Sequence, residues 1–386
     1  VFALLQAHWP APRSGPSTAH YLLLAAICRI CEPGPKTDVA AWYDKTILPS
    51  LWQLPAARCT SQAFWDGFDQ IQLGPIQADA GDDLDDLDRA QVRLLGLWHN
   101  RQMVGPRVLS YDATNFYTFV ASTNDRNTIA QRGRNKQGRH NLRQVGLSYV
   151  LDGTHGLSLY HHVYPGNLTD TEEFSTSLPR LLQFLDENQI ARDSVTLVFD
   201  KGSAALANTL ALDQARVGWV SALPWNQAPP AFREQPLDQV TALSSDHPGI
   251  HAAQTTQVVH GQERSCVLKY SASFLSEQIH SVSTSLATAM QALRRLSSDL
   301  AKPGCRLTET QIRTKITRRL ASAQFLDVLI RPTLTRTDGR WRLQFDVDTA
   351  AFHRLMTHRL GRTVLMTNRL TWPAEDVVAA YGAQQH

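Results

Sequence analysis

No apolar run in this 386-residue chain is long enough to cross a bilayer. The longest one near the start, Tyr21-Leu-Leu-Leu-Ala-Ala-Ile-Cys28, falls far short of the ~20 residues that a spanning helix needs, so no membrane partner is expected. Cysteine is scarce. There are five, an odd number without regular spacing, which excludes a disulfide-stapled secreted fold and points to a reducing compartment, the cytoplasm. Cys28 and Cys31 form a CxxC with no second pair at zinc spacing, so they read as part of an apolar helix. The acidic run Asp79 to Asp88 lacks the centrally placed glycine and closing Glu of a calcium loop. It reads as a solvated loop entering a helix whose first turn favours acids. A large net charge is also missing, the formal total being +3.

What is present is a globular composition, 43% hydrophobic, with room for two or three domains. The charge is unevenly spread. Residues 1 to 100 hold seven Lys and Arg against eleven Asp and Glu, whereas residues 101 to 143 hold eight against two. A basic block of this kind suits a phosphate backbone, a solvated loop being the plainer alternative.

Residues 1–103 carry apolar residues at helical spacing over His20–Ile30, Val39–Lys45, Thr60–Ile71 and Asp85–His99, with a turn at Pro33-Gly34-Pro35. A small helical domain is expected, with Trp42, Tyr43, Trp52, Phe64, Trp65 and Phe68 packing in its core. From residue 104 the pattern turns to strands at Val108–Phe119, Gln144–Leu151 and Leu157–Tyr164, the last two joined by a hairpin signal at Asp152-Gly-Thr-His-Gly156. Between the first two lies a Gly-rich basic stretch, Ala130 to His140. It reads as a flexible arm presenting Arg132, Arg134, Lys136 and Arg139 to phosphates.

A capping box at Asp170-Thr-Glu-Glu173 opens a helical stretch to about Asn188. Pro179 places the start of its regular part near Ser177. A strand to Asp200, a helix over Ser203–Ala215 and a strand over Gly218–Leu223 follow, so three antiparallel strands give way to alternating units that imply parallel pairing. Residues 224–361 break this rhythm and read as an α+β insertion. It has strand-like runs at Thr255–His260 and Ser265–Tyr270, helices near Leu275–Leu300 and Thr308–Leu320, a hairpin at Thr337-Asp-Gly-Arg340 and a short helix near Ala350–Leu360. Its many Arg and Lys residues suit either a solvated face or a second nucleic-acid contact. Residues 362–386 close with a strand, Arg362–Thr367, and a helix starting at Trp372-Pro-Ala-Glu-Asp.

Two acids stand out. Asp112 lies within Leu109-Ser-Tyr-Asp-Ala-Thr-Asn-Phe-Tyr-Thr-Phe119, and Asp200 ends the apolar run Val195-Thr-Leu-Val-Phe. A carboxylate among apolar side chains costs several kcal/mol unless a hydrogen bond, a cation or a metal pairs with it. Two strand-borne aspartates suggest a metal site, although each also fits an ordinary role, a hydrogen-bonded strand Asp and a turn-former before Gly202.

Taken together, Tyr111-Asp-Ala-Thr-Asn-Phe116, Gly133-Arg-Asn-Lys-Gln-Gly-Arg139, Tyr164-Pro-Gly-Asn167 with Asp170, Leu197-Val-Phe-Asp-Lys-Gly202 and Leu365-Met-Thr-Asn-Arg369 leading to Tyr381 resemble bacterial insertion-sequence transposases of the DDE class. The branch is the one with a β-rich insertion before a Tyr-Arg-Glu-Lys helix, and the match runs from about residue 104 to the last residue. The resemblance implies an α/β fold, an RNase H-like mixed sheet flanked by helices. Asp112 and Asp200 would be the first two acids of a metal-binding catalytic triad, and two Mg²⁺ or Mn²⁺ ions would serve as cofactors. It also implies Arg132, Arg134, Lys136, Arg139 and Tyr381 as DNA-contacting residues, transposon ends and target DNA as partners rather than a small molecule, a homodimer on DNA, and a place at the bacterial nucleoid. The third acid, a Glu, would fall two residues beyond His386, and Gln384 stands where the family has Arg. Glu375 and Asp376 lie too early in the last helix to replace it. The chain is therefore expected to be an excerpt at both ends, inactive as it stands. Rival readings are a DNA-binding relic and a metal-dependent phosphohydrolase acting on small substrates.

Overall fold

A computed structural model describes residues 1–13, 15–74, 84–100, 108–134, 138–154, 156–337 and 339–383. The chain divides into two compact units, Val1–Trp219 with Ala380–His386, and Val220–Ala379. Among the described residues no helix is long and apolar enough to cross a membrane.

Unit 1 opens with helices α1 (Phe2–His8), α2 (Thr18–Cys31), α3 (Val39–Asp44), α4 (Leu48–Trp52), α5 (Ser61–Phe68) and α6 (Asp86–Asn100). Leu24, Tyr43, Cys59 and Phe64 are fully buried in one cluster, with Trp42, Trp52 and Phe68 packed against it. Trp65 departs from the expected core role: it is 54% exposed, on the outer face of α5, and carries the Lys36 ammonium 3.1 Å above its ring. Asp86 and Asp88 do stand in the first turn of α6, while residues 79–83 of the acidic run lie outside the described residues.

The sheet of unit 1 consists of β1 (Val108–Thr118), β2 (Arg143–Asp152), β3 (Ser158–Pro165), β4 (Thr196–Phe199) and the start of β5 (Gly218–Leu223). Their order is β3-β2-β1-β4-β5. β2 pairs antiparallel with β1 and β3, and β4 pairs parallel with β1, which makes the sheet mixed. β5 enters beside β4, with Gly218 N–H donating to the Val195 carbonyl and the Trp219 ring tilted 38° to that of Phe199 at 6.0 Å. With α7 (Asp170–Glu187) and α8 (Leu206–Gln214) as connections, this is the strand order of an RNase H-like core. The alternation of burial along β2 shows why these residues form strands: every second side chain is buried.

α7 starts earlier than its proline suggests. Thr169, rather than Asp170, is the cap, with Glu172 closing the box, and the helix runs from Asp170 straight through Pro179. A proline inside a helix removes one hydrogen bond. Here that loss is outweighed by the cap and by burial of Glu173, Phe174, Ser177, Leu178 and Leu181 along one face.

Unit 2 contains the rest of β5, α9 (Pro230–Glu234), β6 (Thr241–Ala242), β7 (Ile250–Val259), β8 (Gln262–Ser271), α10 (Ala272–Ala301), α11 (Glu309–Leu320), α12 (Leu326–Leu329), β9 (Ile330–Thr337), β10 (Arg340–Val347), α13 (Thr349–His358), β11 (Arg362–Thr367) and the first part of α14 (Ala374–Gly382). Its strands run β5-β11-β8-β7-β6, and the β11 pairs with β5 and β8 are antiparallel. β7 begins at Ile250, earlier than expected, because its alternation continues opposite the whole of β8. β9 and β10 form a separate two-stranded sheet.

Candidate active site

β1 pairs with β4 at Val108–Thr196, Leu109–Leu197 and Ser110–Val198. Two residues further along each strand stand Asp112 and Asp200. Asp200 keeps an extended backbone (φ −73°, ψ 161°), so side-chain alternation carries through and both aspartates share the face of Ser110 and Val198. The last β1–β4 pair, Ser110–Val198, lies two residues before each aspartate, so the two positions follow neighbouring strands near the C-terminal end of β4.

Asp112 is half-buried. Tyr149, its cross-strand partner on β2, donates its hydroxyl to Asp112 Oδ2 at 3.2 Å, and the Ala113 N–H donates to Oδ1 at 2.8 Å. Burial pushes the Tyr149 phenol up, and the Asp112 charge adds to it, so Tyr149 stays a donor at neutral pH. Asp200 is exposed and accepts from the Lys201 N–H at 2.7 Å. Tyr381 on α14 lies in the field of Asp200: burial first and that charge second push its phenol up to about 12. Tyr164 is raised by burial, then by Glu173, Asp170 and Asp112. The carboxylates are thus flanked by neutral phenols.

The basic arm is fastened at its root, which corrects the expectation of a free arm. Gln131 and Gln144 exchange backbone hydrogen bonds, Gly166 N–H donates to the Ile129 carbonyl, and Gln144 Nε2 donates to the carbonyls of Gly166 at 2.6 Å and Arg134 at 3.2 Å. Gly133 and Gly166 permit this approach. A Cβ on Gly166 would stand 1.9 Å from the Gln144 carbonyl oxygen, and one on Gly133 2.2 Å from the Gly166 carbonyl oxygen. Beyond that root, Arg132 is exposed and donates to Ser122 Oγ at 2.8 Å, and Arg139 lies over the Tyr117 ring at 5.1 Å. Lys136 lies outside the described residues.

Arg134 lines a cleft of about 750 Å³ with His140, Asn115, Asn167, Asp170 and Gly202. It is joined to the Asp200 strand through Gly202, whose carbonyl accepts from Thr171 Oγ1 at 2.7 Å. The structure therefore sets Asp112 and Asp200 two residues past one strand pair, puts Tyr381 within the field of Asp200, and lines one cleft with Arg134 and the Gly202 turn. Arg132 and Arg139 instead contact the loop after β1 and the end of β1. Sequence reasoning missed Tyr149, which looked like any strand tyrosine, and gave Asp170 a capping role and a place in a motif but no part in the site. Their cross-strand and turn positions were the available signals.

Two carboxylates offer hard oxygen donors of the kind Mg²⁺ and Mn²⁺ favour. Among the described residues no three His, Cys, Asp or Glu side chains converge as a metal cluster.

No family profile and no curated protein sequence matches the chain. Solved structures similar to part of it include a Mos1 transposase paired-end complex with the left transposon end (12% identity, TM-score 0.21, covering 54% of this chain and 60% of that one). Another is the Mos1 mariner paired-end complex with Mn (11%, 0.20, 55% and 61%). A third is a piggyBac transposase synaptic complex with hairpin DNA (10%, 0.30, 66% and 48%). In each case the match spans less than two-thirds of the other chain.

Proposed function

We propose that this chain is the core of a DDE-type DNA transposase of the insertion-sequence class, built to cleave and join phosphodiester bonds. The observation that supports the reading is the register of β1 with β4, whose last pair, Ser110–Val198, lies two residues before both Asp112 and Asp200, together with a basic segment tied to β2 through Gln144. Asp112 and Asp200 would hold divalent metal. Two Mg²⁺ or Mn²⁺ ions, if held there, would supply Lewis-acid stabilisation of charge on phosphate and hydroxyl oxygens.

The protein's own groups do the rest. Tyr149 holds the Asp112 carboxylate in one orientation through its hydroxyl. Arg134 and Arg139, with Lys136 and Arg132, neutralise DNA phosphates. Tyr381 stays protonated beside Asp200 and offers a hydrogen-bond donor to a phosphate oxygen. In this reading residues 104–223 and 362–386 form the catalytic core, interrupted by residues 224–361 and preceded by the helical domain 1–103. The final helix is where the family's third carboxylate belongs, and the working form is a homodimer on DNA at the nucleoid.

The test is Mn²⁺ binding followed by electron paramagnetic resonance, run beside duplex DNA binding, on the parent, Asp112→Asn and Asp200→Asn. The reading expects both variants to lose Mn²⁺ binding and keep DNA binding. Retained metal binding by either variant removes that residue from the site. DNA binding without any Mn²⁺ binding by the parent assigns the chain the role of a DNA-binding relic.

A further inference from the structure

The two-stranded sheet β9–β10 is asymmetric. Its inner face, Ile330, Leu334, Trp341, Leu343 and Phe345, packs into a cluster with Ala289, Leu293 and Leu300 of α10 and Ile312 and Ile316 of α11. Ser297 Oγ on α10 donates to the Leu343 carbonyl at 3.0 Å, fixing the ribbon to the helix. The outer face is made of four cross-strand pairs, Arg331–Asp346, Thr333–Gln344, Thr335–Arg342 and Thr337–Arg340, and all eight residues are exposed. Nothing described covers it.

The chemistry of this face is unlike an ordinary solvated ribbon. Only one of the four pairs opposes charges, and Arg331 is in any case engaged by Asp348. Among the described residues Arg340 and Arg342 have no acidic or hydrogen-bonding partner, and they stand opposite threonines. The surroundings are basic as well. Residues 289–347 hold twelve Lys and Arg against five Asp and Glu, an excess of seven where the whole chain has three. Exposed Arg313, Lys315 and Arg318 on α11 belong to that excess.

We infer that β9–β10 is a DNA-reading ribbon that enters the major groove of duplex DNA. The inference rests on the reading of the chain as a protein that acts on DNA, and goes beyond it by assigning where base sequence is recognised. Two strands about 4.8 Å apart, with side chains on one face, fit a groove about 12 Å wide. Arginine pairs with the O6 and N7 of guanine, glutamine with adenine, and threonine offers a hydroxyl and a methyl group to either acceptors or thymine. Arg342, Gln344, Thr333 and Thr335 are these residue types, set at the centre of the ribbon. The surrounding cations neutralise phosphates on the groove walls.

The experiment is selection of preferred sites by the full chain from a randomised duplex pool. Binding of the selected and unselected duplexes is then measured for Arg342→Ala, Gln344→Ala and the arm variant Arg134→Ala, with urea midpoints as a check on folding. All the replaced side chains are exposed, so the midpoints are expected to hold. Arg342→Ala is expected to weaken the selected duplex about tenfold, to leave unselected duplex within about twofold, and to relax the preference at one or two adjacent base pairs. Arg134→Ala weakens both duplexes alike. If the ribbon variants match the parent, or lower both affinities equally, the ribbon reads no sequence and the inference falls while the catalytic reading stands. If the parent binds no duplex, both fall together.

Discussion

Tyr149 stands directly across the β1–β2 ladder from Asp112 and donates its hydroxyl to the carboxylate at 3.2 Å. Removing it with Tyr149→Phe is expected to cost about 1 kcal/mol of stability, the worth of one partly buried hydrogen bond. The larger effect is on the carboxylate, which is freed to rotate. Mn²⁺ affinity should fall severalfold with DNA binding unchanged. Equal metal affinity in parent and variant would show that the phenol does not orient Asp112.

Gly166→Ala would drive a methyl group to 1.9 Å from the Gln144 carbonyl oxygen, a backbone atom that cannot swing aside. A loss on the order of 3 kcal/mol is expected, read as a lower urea midpoint. Gly138→Ala has open space around it and only its positive φ of 72° to contend with, so it should cost about 1 kcal/mol. A small effect at Gly166 would mean the arm's root is not packed as described.

Glu173 is fully buried, where its Oε1 accepts hydrogen bonds from Ser148 at 2.7 Å and from Ser177, and meets His162 Nδ1 at 3.0 Å. Glu173→Ala strands three polar groups and should cost about 3 kcal/mol or more. Glu173→Gln keeps an acceptor at the same place and should cost less. Calorimetric melting of the two variants checks the order, and an Ala variant no worse than Gln would contradict it.

Binding to duplex DNA should weaken steeply as salt rises. Replacing Arg134 and Arg139 together should lower the log–log salt slope by about two. The measurement is affinity across a salt series, and an unchanged slope would take both arginines off the phosphates.

High pH should loosen the N-terminal helices. Burial pushes Tyr43 from 10.0 up to about 12 and Cys59 from 9.0 up to about 11. Both groups bind their protons more tightly folded than unfolded, so the stability they add is complete below pH 9 and is lost as pH climbs through 11 and 12. Circular dichroism and tyrosinate absorbance should show unfolding in that window. Tyr43→Phe should remove the part of the loss above pH 10.

How much of this was legible in the sequence depended on how local the deciding force was. β11 was read at its observed ends because Arg362–Thr367 holds Val364, Leu365 and Met366 between threonines after Gly361, and nothing distant contradicts it. Asp112 and Asp200 were recognisable as strand-borne acids, but their adjacency depends on which strands pair, a property of the whole sheet. α7 was misplaced at its start because Pro179 is a local signal, whereas the burial of Phe174 and Leu178 that overrides it is tertiary. The arm was read as loose for the same reason, since the glycines of Ala130 to His140 look like flexibility until Gly133 is seen packed against Gly166 and Gln144. Trp65 was placed in the core because it recurs with the other aromatics at helical spacing, though its helix turns it outward.

The pairing of Val220 with Thr367 has a consequence for how the chain is made. All six residues of β5 are buried in the finished protein, and the strand that covers one of its edges is not synthesised until residues 362–367. Closing so long a loop costs only a few kcal/mol, since the penalty grows with the logarithm of its length. The hazard is the wait. During synthesis an apolar strand stands with an open edge, the kind of template on which other chains pair. A chain stopped before Arg362 should therefore collect in aggregates, while one that includes β11 stays in solution.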